Sequence, residues 1–325
     1  MLLSRKLLLR ILGALWLLDG LFQLQPKMFT MNMVNSVLVP TLQGQPALIA
    51  SNLQWIIDIT TQHLIVVNLL IAVIQILMGL GLMALSERWA KIILLASIVW
   101  AVVVWYGGEG MSMLLTGQGS VLTGAPGAVL LYPLLGLVAY PRTVSKDAAE
   151  QREGGALSRL QLRYIFAGFW FFAAFLQLQP YWWQPGQISQ VMGTMTGQGG
   201  LNGILVDSVL QPLAVITAHL EVSLNITLIL VFLGLGTALA VSKEERLRPI
   251  LIASIIVSLA IWYGAEAFGM IFTGMATDFN TGLLLVVIAL ACWPKMSLLR
   301  AAQNKFAHER QTLLCSGQPE VKLRS

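Results

Sequence analysis

Two glutamates occupy matched positions in the sequence and are its clearest candidates for chemistry. Glu109 follows Trp105 by four residues, and Glu266 follows Trp262 by four residues. This spacing places each indole and carboxyl group on one face of a helix. Such carboxyl groups could handle protons or bind a cation in a pocket. They could equally cap the turn that follows, because buried polar groups need hydrogen-bond partners.

Two of the three histidines, His63 and His219, also occupy matched positions, while His308 lies in the C-terminal tail. A pair of imidazoles could ligate haem or another metal, or could hydrogen-bond to a quinone. The alternative is a structural pairing of each histidine with the glutamate of its own half. Together with Trp105, Trp262 and Glu221, the two histidines are the candidate ligand-binding residues.

Asp19 and Glu221 break the match, because Ala173 and Ile65 stand at the equivalent positions. Asp19 lies near the middle of an apolar segment. A lone carboxyl group there indicates a proton relay or a cation site, or else a protonated side chain bonded to a neighbouring helix. Asp278, by contrast, is expected in a solvated loop.

Methionines are frequent in the segments between apolar runs. Met31 and Met33, and likewise Met111 and Met113, have a Met-x-Met spacing. Thioether ligands suit Cu(I), although methionine is also an ordinary filler of apolar gaps. The two cysteines lie in an apolar run and in the tail, which predicts no disulfide framework. The cofactor therefore stays open between a quinone, haem and copper.

The composition predicts an all-α integral membrane protein. Only 11% of the 325 residues are charged, against about 25% in a soluble domain, and 57% are hydrophobic. So much apolar surface requires the lipid bilayer as its solvent. About eight transmembrane helices are predicted, at 7–25, 62–85, 90–107, 125–140, 160–178, 213–241, 248–267 and 280–294. The fourth and eighth are short of the roughly 20 residues that a span needs.

The basic residues predict the orientation. Except for Lys27, all Lys and Arg lie at the N-terminus, at 88–91, at 142–163, at 243–248 or after residue 294. With an even number of spans these groups share one side, which the positive-inside rule makes cytoplasmic. We therefore expect a prokaryotic-type inner-membrane protein with both termini in the cytoplasm. The segments 28–57 and 181–212 are then expected outside. Since topology explains the basic charge, no nucleic-acid partner is indicated.

The sequence also resembles itself. The matched motifs predict two parallel four-helix repeats, because each unit has an even number of spans. The predicted organisation is a first repeat at 1–141, a cytoplasmic linker at 142–159, a second repeat at 160–294 and a basic cytoplasmic tail at 295–325. The matches are Gln-Leu-Gln-Pro at 23–26 and 177–180, Gly-Leu-Gly at 79–81 and 234–236, Ala-Ser-Ile at 96–98 and 253–255, and Trp-Tyr-Gly at 105–107 and 262–264.

The opening helix carries a family resemblance. Leu-Leu-Leu-Arg-Ile-Leu-Gly at 7–13, followed by Trp16 to Pro26, resembles the DoxX/DoxD-type membrane proteins. The second half resembles them less, because Ala174 replaces the glycine. The resemblance implies association with membrane redox chemistry, since DoxD-like subunits belong to thiosulfate:quinone oxidoreductases. The fused double unit with long outer segments departs from the family pattern.

Three functions remain open at the level of sequence. The first is a quinone-linked redox subunit with an outward-facing His/Glu pocket at the repeat interface and other membrane subunits as partners. The second is a transporter of a small solute or a metal ion, including copper. The third is a structural subunit that assembles a larger membrane complex. Whether the chain is an enzyme also stays open.

Overall fold

The computed structural model describes residues 3–84, 87–140, 156–197 and 200–294, and in those ranges it is all-helical, without a strand. Residues 141–155 and 295–325, which hold most of the predicted linker and tail, lie outside them. The eleven longer helices are α1 Arg5–Gln23, α2 Ala47–Gln62, α3 Leu64–Ala84, α4 Glu87–Gly107, α5 Ala128–Ala139, α6 Arg159–Gln177, α7 Gln187–Thr194, α8 Ser208–Ala218, α9 Glu221–Val241, α10 Leu247–Gly264 and α11 Asn280–Ala291.

Five helical segments are long and apolar enough to cross a membrane, which makes the chain a multi-pass membrane protein. A helix of 21 residues is about 31 Å long and matches the hydrocarbon thickness of roughly 30 Å. The helices α5 and α11 are shorter, with 12 residues each, or about 18 Å. The five segments are Leu64–Ala84, Arg88–Gly107, Gly200–Ala218, Glu221–Val241 and Glu244–Gly264.

The segments between the apolar runs are more helical than the sequence predicts. The stretch 28–57, expected as an outer segment, contains most of α2, and the predicted helix 213–241 is divided at 219–220 into α8 and α9. His63 and His219 stand at the two equivalent breaks, where α2 meets α3 and α8 meets α9. The predicted helix 62–85 begins at the first break, but apolar periodicity could not locate the second, because 213–218 is as apolar as the helix that follows.

The first half packs around a close contact between α1 and α3. Small residues bring the two backbones together: a Cβ added to Gly79 would lie 2.5 Å from the Leu17 nitrogen and 2.6 Å from the Gly13 oxygen. The amide of Asn68 donates to the carbonyl of Gln23 at 2.8 Å, which joins the end of α1 to the start of α3. We call this end of the bundle, where α1 and α4 end and α3 and α5 begin, the distal end.

The second half repeats these pairings, with α6 against α9 and α10 against α11. The amide of Asn225 donates to the carbonyl of Gln177 at 3.2 Å, as Asn68 does to Gln23. One buried apolar cluster runs through both halves, and its largest members include Trp16, Tyr132, Phe166, Trp170 and Phe232.

The halves also contact each other reciprocally at the distal end. The ammonium group of Lys27, which follows α1, donates to the carbonyl of Thr273 in the second half at 2.8 Å. The amide of Gln179, which follows α6, donates to the carbonyl of Gly119 in the first half at 2.8 Å. The hydroxyl of Thr281 donates to the carbonyl of Gly124 at 2.9 Å. The first half therefore contacts the loop that follows α10, and the second half contacts the loop that follows α4.

Candidate functional site

A cavity of about 580 Å³ lies within the first half of the molecule. This volume falls in the range of roughly 300–1,000 Å³ that is typical of small-molecule sites. Helices α1 to α5 and the segment 33–38 form its wall, and the second half contributes only Thr277 and Asp278. The remaining lining residues are Trp16, Asp19, Gln23, Met33, Val37, Leu38, Ile56, Thr60, Val67, Ile71, Gln75, Trp100, Val102, Val103, Val104, Tyr106, Gly107, Gly108, Glu109, Val129 and Tyr132.

Helical periodicity explains which side chains reach the cavity. On α1, Trp16, Asp19 and Gln23 recur at intervals of three and four residues and so share one face. On α3, Ile71 and Gln75 are four residues apart and also share a face. Both faces place polar groups in a wall that is otherwise mostly apolar.

The deepest polar contact joins Asp19 and Tyr132. The phenol of Tyr132 donates to Asp19 Oδ2 at 2.7 Å, and Asp19 is only 2% exposed. The Trp16 ring packs edge-on against the Tyr132 ring, with 4.7 Å between the centroids, and so holds the phenol in place. Asp19 is thus hydrogen-bonded to a neighbouring helix, as one of the two readings of the sequence predicts.

Several buried polar atoms around the cavity have no partner among the described residues. Buried polar atoms are rarely left unpaired in proteins, so such a concentration in one wall indicates a ligand or ordered water. The set combines donors and acceptors. It comprises Trp16 Nε1, Asp19 Oδ1, Gln23 Oε1, Gln75 Oε1 and Trp100 Nε1.

Glu109 lies at the distal end of the cavity, two residues beyond α4. Its carboxylate accepts from the backbone N–H of Val129 and from the hydroxyl of Ser112, each at 3.1 Å. It therefore caps the start of α5 and lines the cavity at once. Burial raises the pKa of Glu109 well above the usual range of a glutamate, and the charge of Asp278 raises it further.

An unusual left-handed turn follows each of the matched glutamates. Residues 110–113 and residues 267–270 all have positive φ, between 45° and 68°. Non-glycine residues adopt this conformation at a cost of roughly 1–2 kcal/mol each, and usually singly. The turn reverses the chain at the end of α4 and of α10, and neither turn spans the bundle.

Glu266 caps a helix and does not line the cavity. Its two carboxylate oxygens accept from the N–H groups of Thr281 at 3.1 Å and Gly282 at 2.8 Å, at the start of α11. It is 2% exposed, and burial raises its pKa to about 8. This arrangement corresponds to the capping alternative rather than to a pocket shared with Glu109.

Asp278 lies in a loop, as expected, but it is half-buried there rather than fully solvated. Its side chain lines the cavity of the first half, and its oxygens accept from the N–H of Asn280 at 2.6 Å and the hydroxyl of Thr277 at 2.9 Å. Burial raises the pKa of Asp278. The turn after α10 carries this carboxyl group into the other half, which sequence separation alone could not reveal.

The remaining candidates lie away from the cavity. His63 and His219 are exposed and do not line it. Glu221 is 6% exposed, and its carboxylate accepts from the N–H groups of Ile188 and Ser189, each at 2.9 Å, at the start of α7. Glu221 therefore caps a helix.

The two matched tryptophans hold the loops that precede α5 and α11. Trp105 Nε1 donates to the carbonyl of Pro126 at 2.6 Å, and Trp262 Nε1 donates to that of Phe279 at 2.8 Å. Neither indole lines the cavity. Each one holds the loop that leads to the helix capped by the neighbouring glutamate.

The candidate copper ligands show little clustering. Met33 lines the cavity and is buried, Met31 is 45% exposed, Met111 is buried and Met113 is half-buried. Across the described part of the chain, no three His, Cys, Asp or Glu side chains lie close enough to hold a metal ion.

The cavity has an acidic lining. The described residues that form it include three carboxyl groups but no Lys, Arg or His. Burial raises the pKa of Glu109 and Asp278, which favours their uncharged form, and no basic group is there to bind an anion, so the wall suits a neutral or cationic ligand. In the second half Ala173 stands at the position of Asp19, so this carboxyl group has no counterpart there.

Sequence reasoning identified Asp19 and Glu109 but missed Tyr132, Gln23 and Gln75 as site residues. A phenol or amide within an apolar span is a weaker signal than a charge, since it costs less to bury. Gln75 and Tyr132 each interrupt an apolar run, and this interruption could have been used to find them.

Comparison of the chain with family models, curated proteins and solved structures found no match in any of the three.

Proposed function

We propose that this chain is a DoxX/DoxD-like membrane subunit of a quinone-linked redox system, and that its first-half cavity binds the quinone ring. The observation that carries the proposal is the Asp19–Tyr132 pair, buried in an apolar cavity with unpartnered donors and acceptors around it. A quinone is flat, neutral and lipid-soluble. Its ring oxygens accept hydrogen bonds when oxidised and donate them when reduced.

The polar groups of the wall suit both forms of the ring. The indole N–H groups of Trp16 and Trp100 are free donors for a quinone oxygen, whereas the single O–H of Tyr132 is already donated to Asp19. The unpartnered oxygens of Asp19, Gln23 and Gln75 are acceptors for a quinol hydroxyl. A ligand that fills both roles would satisfy the atoms that the fold leaves unpaired.

The lining of the wall argues against binding of a reduced-sulfur anion in the same cavity. Thiosulfate is the substrate that the family resemblance implies, and the described lining offers no basic residue to bind it. Electrons must then come from a redox centre on another membrane subunit. The proposed role of the chain is therefore the quinone-binding member of a complex.

The proposed topology is eight membrane helices in two parallel four-helix repeats, α1, α3, α4 and α5 and then α6, α9, α10 and α11, with both termini cytoplasmic. The equivalent Asn68 and Asn225 bonds, the two left-handed turns and the reciprocal contacts between the halves support it. Helices α2 and α8 each join end to end with the helix that follows, so the proposal assigns both to the outer side, although the segment Gly200–Ala218 that contains α8 is also long and apolar enough to cross a membrane. The distal end then faces outward.

Quinone binding tests the proposal directly. The full-length chain in lipid nanodiscs is titrated with a short-chain quinone, and binding is followed by quenching of tryptophan fluorescence. Asp19→Asn should weaken binding about tenfold, because one hydrogen bond in a buried site contributes roughly 1.4 kcal/mol. Asp58→Asn, which changes an exposed carboxyl group on α2, is the matched control. Equal affinity of wild type and Asp19→Asn would exclude this cavity as the ring site.

A further inference from the structure

Three carboxyl groups from different parts of the chain meet in the same cavity. Asp19 lies on α1, Glu109 follows α4, and Asp278 comes from the segment that precedes α11 in the other half. The other titratable groups of the lining are the phenols of Tyr106 and Tyr132. Lys27, the basic residue tied to that segment, donates to the carbonyl of Thr273 and does not line the cavity.

The carboxyl groups lie at two levels of the bundle. Glu109 accepts from the N–H of Val129 at the start of α5, whereas Asp19 accepts from Tyr132, three residues further along the same helix. On its own helix, Asp19 lies four residues before the end of α1, whereas Glu109 lies two residues beyond the end of α4. Four residues of α-helix correspond to about 6 Å along the axis, so Asp19 is the deeper of the two.

Unpartnered oxygens near Asp19 indicate that a proton is held at this level of the cavity. Oδ1 of Asp19 has no hydrogen-bond partner among the described residues, nor has Oε1 of Gln23 or Gln75, and all three side chains are at most 5% exposed. These three acceptors outnumber the two unpartnered donors of the wall, Trp16 Nε1 and Trp100 Nε1, and leaving an acceptor unpaired is unfavourable. Gln23 is four residues from Asp19 on the same helix face, so a proton on Asp19 would supply a donor where acceptors are in excess.

We propose that Glu109 and Asp278 form a proton-exchanging carboxyl pair that connects Asp19 with the distal surface. Two carboxylates in one poorly solvated space cannot both be ionised at low cost, so the pair holds and passes a proton. Glu109 and Asp278 are both half-buried, and the residues before Asp278 belong to the distal loops, which gives the pair access to water.

This inference rests on the proposed quinone function. Reduction of a bound quinone to quinol takes two electrons from the redox centre of the partner subunit and one proton on each of the two ring oxygens. The deep Asp19–Tyr132 pair gives up protons to the ring, and Glu109 with Asp278 replaces them from the distal side. The second half of the chain thus contributes a functional carboxyl group to a cavity that it does not otherwise build.

Infrared spectroscopy of the full-length chain in nanodiscs tests the pair without any quinone present. The carbonyl stretch of protonated carboxyl groups is recorded as the pH is raised, and Glu109→Gln identifies the contribution of Glu109. Asp278→Asn removes a neighbouring negative charge, so Glu109 should lose its proton about one pH unit lower, a tenfold change in proton affinity. Asp278→Glu should retain the wild-type midpoint, and Asp58→Asn is the control for an exposed aspartate.

The result that overturns the proposal is a folded Asp278→Asn protein whose Glu109 band titrates as in wild type. Quinone binding, measured on the same samples, separates this failure from failure of the proposed function. A shifted Glu109 midpoint without quinone binding retains the carboxyl pair and refutes the quinone site. Quinone binding with an unshifted midpoint refutes the pair and retains the site.

Discussion

At the scale of the residue, the proposed site depends on carboxyl groups placed in contrasting surroundings. Asp19 is bonded to a phenol deep in a cavity, Glu109 is shared between a helix cap and that cavity, and Glu266 serves only as a cap. The sequence predicts Asp19 because a charge within an apolar run is costly and rare. It cannot distinguish Glu109 from Glu266, since their local sequences match and only the tertiary contacts differ.

Removal of the Tyr132 hydroxyl should destabilise the protein. Tyr132→Phe leaves both oxygens of Asp19 without a partner, and an unsatisfied buried polar group costs about 1–3 kcal/mol. We expect a lower thermal unfolding midpoint and weaker quinone binding. Tyr140→Phe, at the end of the same helix and outside the cavity, is the matched control. Indistinguishable melting curves for the two variants would contradict the assigned hydrogen bond.

The pKa of Glu266 predicts a pH dependence of stability. Burial raises this pKa from 4.5 to about 8, so between these values the folded state binds more protons than the unfolded state. The free energy of unfolding therefore decreases as the pH rises from about 4.5 through about 8. Thermal unfolding at a series of pH values should show this decline, and Glu266→Gln should reduce its slope. The control is Glu245→Gln, which changes an exposed glutamate; the prediction fails if both variants retain the wild-type slope.

At the scale of the element, small residues and strained turns determine how the helices meet. The Gly-Leu-Gly motif is present in both halves of the sequence, but a Cβ on Gly79 would lie 2.5 Å from the backbone of α1, one on Gly236 would lie 3.1 Å from the Ala167 oxygen, and one on Gly234 would meet nothing within 4 Å. The sequence predicts most of the long helices to within a few residues. It does not predict the break at His219 or the left-handed turns.

The two glycines give a matched test of the packing. Gly79→Ala should destabilise the bundle by about 1–3 kcal/mol, because the new methyl group would meet the backbone of α1. Gly234→Ala should be neutral or stabilising by up to about 1 kcal/mol, as expected for alanine in an open helix position. Thermal or chemical unfolding of the two variants measures the difference. A similar effect of both changes would contradict the close approach of α1 and α3.

At the scale of the whole molecule, two similar halves differ at the proposed site. The first half encloses a cavity lined by carboxyl groups, while in the second half Ala173 stands at the position of Asp19. The sequence predicts the duplication from its motifs, and the replacement of Asp19 by Ala173 already indicates the asymmetry. The contribution of Asp278 across the interface could not be predicted, since it depends on how the halves are arranged.

Photolabelling with a reactive quinone most directly tests the claim that the first-half cavity is the quinone site. The full-length chain in nanodiscs is irradiated with an azidoquinone, and the labelled peptides are identified by mass spectrometry, with and without excess unlabelled quinone. Labelling should concentrate on α1, α3 and α4 and disappear under competition. Labelling of α6, α9 or α10 at equal intensity, or labelling that excess quinone does not reduce, would contradict it.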